Sequence, residues 1–257
     1  MITSDQIRHL VKQFNVPESV IFREYIQLLF LESLYQHRQS NSIIFKGGTA
    51  IHLIYKAPRF SEDLDFNVIT SLQQFTVIIK SVFANLSRSY EITFKARKTI
   101  TGKRYLLTAS PMVIKNSTYV NLDFSFREPT LTNEKTIITT NFPFIPNSLV
   151  HHMDRDEIVA EKIRAILTRR KGRDIYDLWY LLSHGASLNR DWIQNKLSYY
   201  TNQKLSFIDL SKRIKSFPVK SFVQDLKPFV AVGDRDRLVE RYQYIITYLS
   251  NMLNLSK

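Results

Sequence analysis

Ser42-Ile43-Ile44-Phe45-Lys46-Gly47-Gly48-Thr49-Ala50-Ile51-His52-Leu53-Ile54-Tyr55 reads as a short apolar strand, a glycine break and a resumption at helical spacing. The strand is expected over Ser42 to Phe45 and the helix over Thr49 to Tyr55. A glycine pair at such a junction lets backbone N–H groups approach a phosphate closely and aims a helix N-terminus at it. Thr49 adds a hydroxyl donor at the same place. Shortly downstream, Arg59-Phe60-Ser61-Glu62-Asp63-Leu64-Asp65-Phe66 leads into a second strand, Leu64 to Ile69. Asp63 and Asp65 are separated by one residue in extended chain, so they point to one side and both can reach one ion cluster.

A third carboxylate comes from Tyr119 to Phe126. Val120, Leu122, Phe124 and Phe126 alternate with Asn121, Asp123 and Ser125, which sends Asp123 out on the polar side of a sheet. Between these strands, Phe75 to Ser87 is expected as a helix, and Glu91 to Ala96 with Tyr105 to Thr108 as a hairpin turning at Thr101-Gly102-Lys103. Upstream, Ser4 to Phe14 and Pro17 to Arg38 read as helices covering one sheet face. Taken singly, an Asp-x-Asp is more often a solvated strand end and a Gly-Gly a plain loop. Their joint order, with a third aspartate on an alternating strand, points to nucleotidyl transfer. That reaction uses two divalent ions, and hard ions such as Mg2+ prefer carboxylate oxygen.

The composition agrees with such chemistry. The chain has 257 residues, 44% of them hydrophobic, enough for one large or two modest domains. Lys and Arg number 36 against 23 Asp and Glu, a net charge of +13, which favours a polyanionic partner such as nucleic acid or an anionic surface. No apolar run approaches the ~20 residues of a membrane helix and no signal-peptide segment opens the chain, so a cytoplasmic protein without membrane contact is expected. The absence of cysteine removes disulfides and thiolate metal sites. The histidines, including His52 and His151-His152, show no metal-ligand spacing, and zinc is not expected.

Beyond Pro143 and Pro146 the pattern turns helical, near Asp154 to Arg170, Asp174 to Ser183, Trp192 to Tyr200, Phe207 to Ser216 and Arg237 to Leu253. The expected division is an α/β domain over 1–150 and a helical domain over 151–257. On the helix Asp154 to Arg170, Lys162 falls within the apolar arc of Ile158, Val159, Ile163, Ala165 and Ile166, while Glu157, Glu161 and Arg164 read as solvated. A buried ammonium needs an anion, so Lys162 either reaches ligand phosphate or pairs with a structural aspartate. Gly172 is read as the end of that helix. Asp174 is then placed to cap the next one, and Asp177, one turn inside, has no such duty. Arg169-Arg170-Lys171-Gly172-Arg173 is either a basic helix end or part of a phosphate cradle.

The stretches Phe45-Lys46-Gly47-Gly48-Thr49-Ala50-Ile51 and Arg59 to Phe66 resemble the signature of AbiEii-type nucleotidyltransferases, the toxins of type IV toxin–antitoxin and abortive-infection systems within the DNA polymerase beta-like superfamily. The resemblance extends to Asn121-Leu122-Asp123, Glu157 to Ala165 and Arg173 to Leu178, with no motif in the last eighty or so residues. It implies an α+β fold: a polymerase beta-like nucleotidyltransferase domain, its mixed sheet flanked by helices, then a mainly helical domain contributing Lys162 and Asp177. It also implies Mg2+ or Mn2+ on Asp63, Asp65 and Asp123, with NTP as co-substrate. NTP would be bound through Gly47, Gly48, Thr49, Lys46 and Ser61, with Lys162 on the phosphates. The acceptor implied is RNA, most of all tRNA, and the partner a separately encoded antitoxin acting in phage defence. A protein or small-molecule acceptor, or a degenerate nucleic-acid-binding module, are the alternatives.

Overall fold

The structure is a computed structural model that describes residues 2–110, 116–202 and 204–255. It resolves into two compact units, Met1–Lys56 with Phe60–Met153, and Ala57–Arg59 with Asp154–Lys257.

The first unit is an α+β layer. Its elements in chain order are α1 (Ser4–Phe14), α2 (Glu18–Tyr35), β1 (Ile43–Lys46), α3 (Gly47–Leu53), β2 (Leu64–Val68), α4 (Leu72–Ser89), β3 (Ile92–Arg97), β4 (Lys103–Ala109), β5 (Thr118–Ser125), β6 (Glu134–Thr136) and β7 (Val150–His152). The seven strands form one sheet in the order β3-β4-β5-β2-β1-β7-β6. It is mixed: β2 and β5 run parallel, as do β1 and β7, and the remaining pairs are antiparallel. The short strands β6 and β7 were not expected, since three residues show no period.

Alternation assigns the two faces. Leu64 and Phe66 on β2 and Val120, Leu122 and Phe124 on β5 are buried, while Asp65, Asn121 and Asp123 between them are partly exposed. The buried face is an aromatic layer, with Phe66 stacked on Phe124 at 4.9 Å and Phe83 on Phe94 at 3.7 Å. Helix α2 lies in this core and buries apolar residues on most of its circumference, so its two buried polar side chains, Glu24 and Gln27, stand out.

The second unit is helical: α5 (Arg155–Thr168), α6 (Gly172–Ser183), α7 (Arg190–Ser198), α8 (Phe207–Lys215), α9 (Val219–Leu226) and α10 (Leu238–Leu255). Helix α9 escaped the sequence reading. Several expectations need correction here. Gly172 does not end a helix but is the first residue of α6, and a Cβ there would lie 2.8 Å from the Phe222 Cα, so glycine permits the close approach of α9. Asp174 consequently is not the N-cap, a position held by Lys171. Glu157 and Glu161 are not solvated either: both are buried against Lys196, itself inaccessible, with the Nζ 2.6 Å from Glu157 and 3.8 Å from Glu161. Burial of the ammonium is tolerable because carboxylates surround it. Arg164 is half-buried, its guanidinium 4.1 Å above the Tyr200 ring. Among the described residues, no helix is long and apolar enough to cross a membrane.

Candidate active site

The polar face of the first unit carries a row of charge set by strand register. Lys46 lies opposite Asp65, Asp65 opposite Asp123, Asp123 opposite Arg104 and Arg104 opposite Arg97. Cross-strand partners share a face, so two carboxylates from neighbouring strands stand side by side. Asp63, one step before β2, extends the group, and Asn121 donates its Nδ2 to the Asp63 Oδ1 at 2.9 Å.

Several contacts hold the Asp-x-Asp segment. Gln27, from the apolar helix α2, donates to the backbone carbonyls of Ser61 at 3.1 Å and Glu62 at 2.9 Å. Thr49, 1% exposed, donates its hydroxyl to the Asp63 carbonyl, which ties the start of α3 to the start of β2. Gly47 adopts φ +80°, and a Cβ there would fall 2.3 Å from the Asp65 Oδ2, so a glycine is required both by the turn and by the carboxylate beside it. The glycine turn and the aspartate pair are therefore one packed object. Lys46, next in the row, is buried with its Nζ 3.5 Å from Glu128.

Arg104 was missed by the sequence reading, which began its strand at Tyr105. Its Nε donates to the Asp123 Oδ1. That hydrogen bond raises the guanidinium above its ordinary value against partial desolvation, and the charges of Asp123, Asp63 and Asp65 reinforce the shift. One cation thus feels all three carboxylates. Their oxygen donors are of the kind a hard divalent ion takes. Among the described residues no three such side chains converge on a point as they stand, since Asp123 is drawn to Arg104 and Asp63 to Asn121. The chemistry of the donor set fits a divalent ion, and the fit requires those two neighbours to yield.

Lys162 and Asp177 belong to the second unit, where they meet each other. The Lys162 Nζ lies 2.7 Å from Asp177 and 3.1 Å from Asp174. Arg59 grips Asp177 through Nε and Nη2, and Arg169 grips Asp174 at 2.8 and 3.0 Å. Asp177, expected to lack a structural duty, is fully buried and holds two cations. Burial alone would lower Lys162 and raise Asp174, but the charges of Asp177 and then Asp174 outweigh it at Lys162, and those of Lys162 and Arg169 at Asp174. Lys162 ends above its ordinary value, and Asp174 ends well below the usual carboxylate range with the help of Arg169. The basic run is used internally at three of its positions: Arg169 on Asp174, Arg170 on the Ser216 carbonyl and Arg173 over the Phe229 ring.

The family model of the nucleotidyl transferase AbiEii toxin, type IV toxin–antitoxin system, matches residues 29–235. No curated protein matches the chain. Among solved structures, a putative nucleotidyltransferase from Helicobacter pylori is 20% identical with a TM-score of 0.60, covering 94% of this chain and 99% of its own. JHP933 from Helicobacter pylori is 19% identical with a TM-score of 0.57, covering 94% and 96%. MenT4, a nucleotidyltransferase toxin from Mycobacterium tuberculosis H37Rv, is 16% identical with a TM-score of 0.60, covering 96% and 90%. At these identities the likeness is one of fold.

Proposed function

We propose, from the premise that the chain belongs to the AbiEii nucleotidyl transferase toxin family of type IV toxin–antitoxin systems, that it transfers a nucleotidyl group from an NTP to an RNA acceptor, tRNA by family analogy. Membership makes it a nucleotidyltransferase toxin, and a type IV system implies a separate antitoxin. The observation that carries the reading is the register of Asp65 against Asp123 on adjacent strands, with Asp63 beside them and the Gly47 turn packed on Asp65.

Asp63 and Asp65 would hold Mg2+ or Mn2+, with Asp123 completing the set. Such an ion neutralises triphosphate charge and helps align the attacking oxygen. The Asp123 carboxylate accepts the proton of the acceptor hydroxyl as that oxygen bonds the α-phosphorus. The bond from the α-phosphorus to the bridging oxygen breaks, and pyrophosphate leaves. Gly47 keeps the turn close to Asp65, so the Gly48 N–H is available to a phosphate oxygen. Lys46, opposite Asp65 on the neighbouring strand, has its ammonium on Glu128. The net charge of +13 favours RNA over a protein or small-molecule acceptor.

Purified chain incubated with each labelled NTP, Mg2+ or Mn2+, total tRNA and a set of proteins tests the reading. Label is expected in RNA and is expected to vanish in Asp65→Asn. Label in protein instead of RNA would overturn the acceptor, and no label with any NTP would overturn the reaction.

A further inference from the structure

We infer that the polar face of the β3–β4 hairpin is a subsite for the phosphodiester backbone of the acceptor RNA, an inference that rests on the RNA-acceptor reading above. Lys95, Ala96, Arg97, Lys98 and Arg104 line a recess of about 500 Å3 that ends at Asn121, the donor to Asp63. Two of its lining residues reach the carboxylate row, Asn121 by its bond to Asp63 and Arg104 by its bond to Asp123.

Its charge is costly to the fold. Arg97 stands directly opposite Arg104 on the neighbouring strand, and like charges so placed repel. Arg104 is compensated by Asp123, whereas among the described residues no carboxylate pairs with Lys95, Arg97 or Lys98. Basic residues on an outermost strand such as β3 discourage sheet-to-sheet pairing. That function does not account for Arg104 on the inner strand β4, nor for the recess reaching Asn121, the donor to Asp63. Tyr119, on the same face of β5 as Asn121 and Asp123, is 53% exposed and offers a ring on which a base can stack.

The arrangement suits a polymer better than a triphosphate. Lys95 and Arg97 are two residues apart on one strand, about 7 Å along its axis, and they open onto the edge of the sheet. Cations spaced along an open strand track successive phosphates, as basic grooves for single-stranded nucleic acid do. RNA lying along β3 would deliver its end towards Asp123.

The test compares full-length wild type with Lys95→Gln/Arg97→Gln, and with Lys212→Gln/Lys215→Gln, which removes the same charge from exposed positions on α8. Each is titrated with a labelled single-stranded oligoribonucleotide over a salt series, and separately with NTP. The hairpin variant is expected to lose about tenfold or more in RNA affinity and about 1.4 in log-log salt slope, with NTP affinity kept. The α8 variant is expected to lose little. Since Arg97 faces Arg104, the hairpin variant is also expected to melt no lower than wild type, so lost binding is not lost folding. Equal RNA loss in both variants, or none in the hairpin variant while wild type binds, would overturn the subsite alone. An NTP affinity that falls with RNA affinity would reassign these cations to the triphosphate. A wild type that binds no RNA would overturn the acceptor reading and the subsite together.

Discussion

Arg104 donates its Nε to the carboxylate of Asp123, the residue directly opposite it in the β4–β5 register. Guanidinium and the proposed divalent ion would therefore compete for one carboxylate. Removing the guanidinium leaves Asp63, Asp65 and Asp123 with less compensation, and an ion becomes the better counter-charge. Arg104→Gln is expected to lower the unfolding free energy in metal-free buffer by no more than about 1 kcal/mol, because the pair is partly solvated. It is also expected to tighten Mn2+ binding several-fold, read by calorimetry or by spin resonance of the free ion. Weaker Mn2+ binding in the variant would show that Arg104 supports the ion and does not compete with it.

Asp63→Asn and Asp65→Asn should each abolish transfer and leave the fold intact. Each change removes a charged oxygen from a partly exposed position without opening a cavity. Nucleotide incorporation and the melting curve are measured on the same preparation. Substantial transfer in both variants would remove the carboxylates from the reaction, and growth arrest on expression of either variant would detach toxicity from transfer.

Gly47→Ala tests the packing of the turn on the aspartate. The new Cβ meets the Asp65 Oδ2 at 2.3 Å, and the residue must hold φ +80°. The left-handed backbone costs about 1 kcal/mol for alanine, and the Asp65 carboxylate must move. Transfer should fall by more than tenfold while the melting curve shifts by only a few degrees. Full activity with an unshifted midpoint would mean that the turn is not held against Asp65.

The carboxylates were legible because a period of two assigns a face: Leu64 and Phe66 or Leu122 and Phe124 inward put Asp65 and Asp123 outward. The α+β class and most element positions followed from the same periodicities. Arg104 was lost by two residues of strand, since Lys103 and Arg104 look like turn residues until pairing extends β4 to Arg97 and Asp123. Asp174 was misplaced because a glycine after a helix usually ends it, whereas Gly172 answers to the approach of Phe222 from far along the chain. Likewise, no local pattern tells Glu157 that Lys196 will be its partner. Local period reports which side a residue faces, and long-range packing decides what it meets there.

Lys162 supplies the last prediction, because its ammonium is held by Asp174 and Asp177 in the second unit. Lys162→Met keeps the apolar stem but leaves Asp174 to Arg169 and Asp177 to Arg59. Breaking a buried pair costs about 3 to 5 kcal/mol, and the two arginines retained here put the expected loss towards the lower figure. The pH dependence has a definite sign. Asp174 is depressed in the folded state, so its contribution is complete above the unfolded value of about 4 and is lost as pH falls towards the folded one. Lys162 is raised, so its contribution is complete below about 10.4 and is lost only as pH rises through the folded value above that. Wild-type stability from this network should thus be flat from about pH 5 to 9 and decline in acid, and Asp174→Asn should flatten the acid decline. Urea unfolding of wild type, Lys162→Met and Asp174→Asn across that range measures it, alongside NTP affinity. A Lys162→Met chain as stable as wild type but with NTP affinity lost would make the ammonium a ligand of the triphosphate and refute its role as the centre of this network.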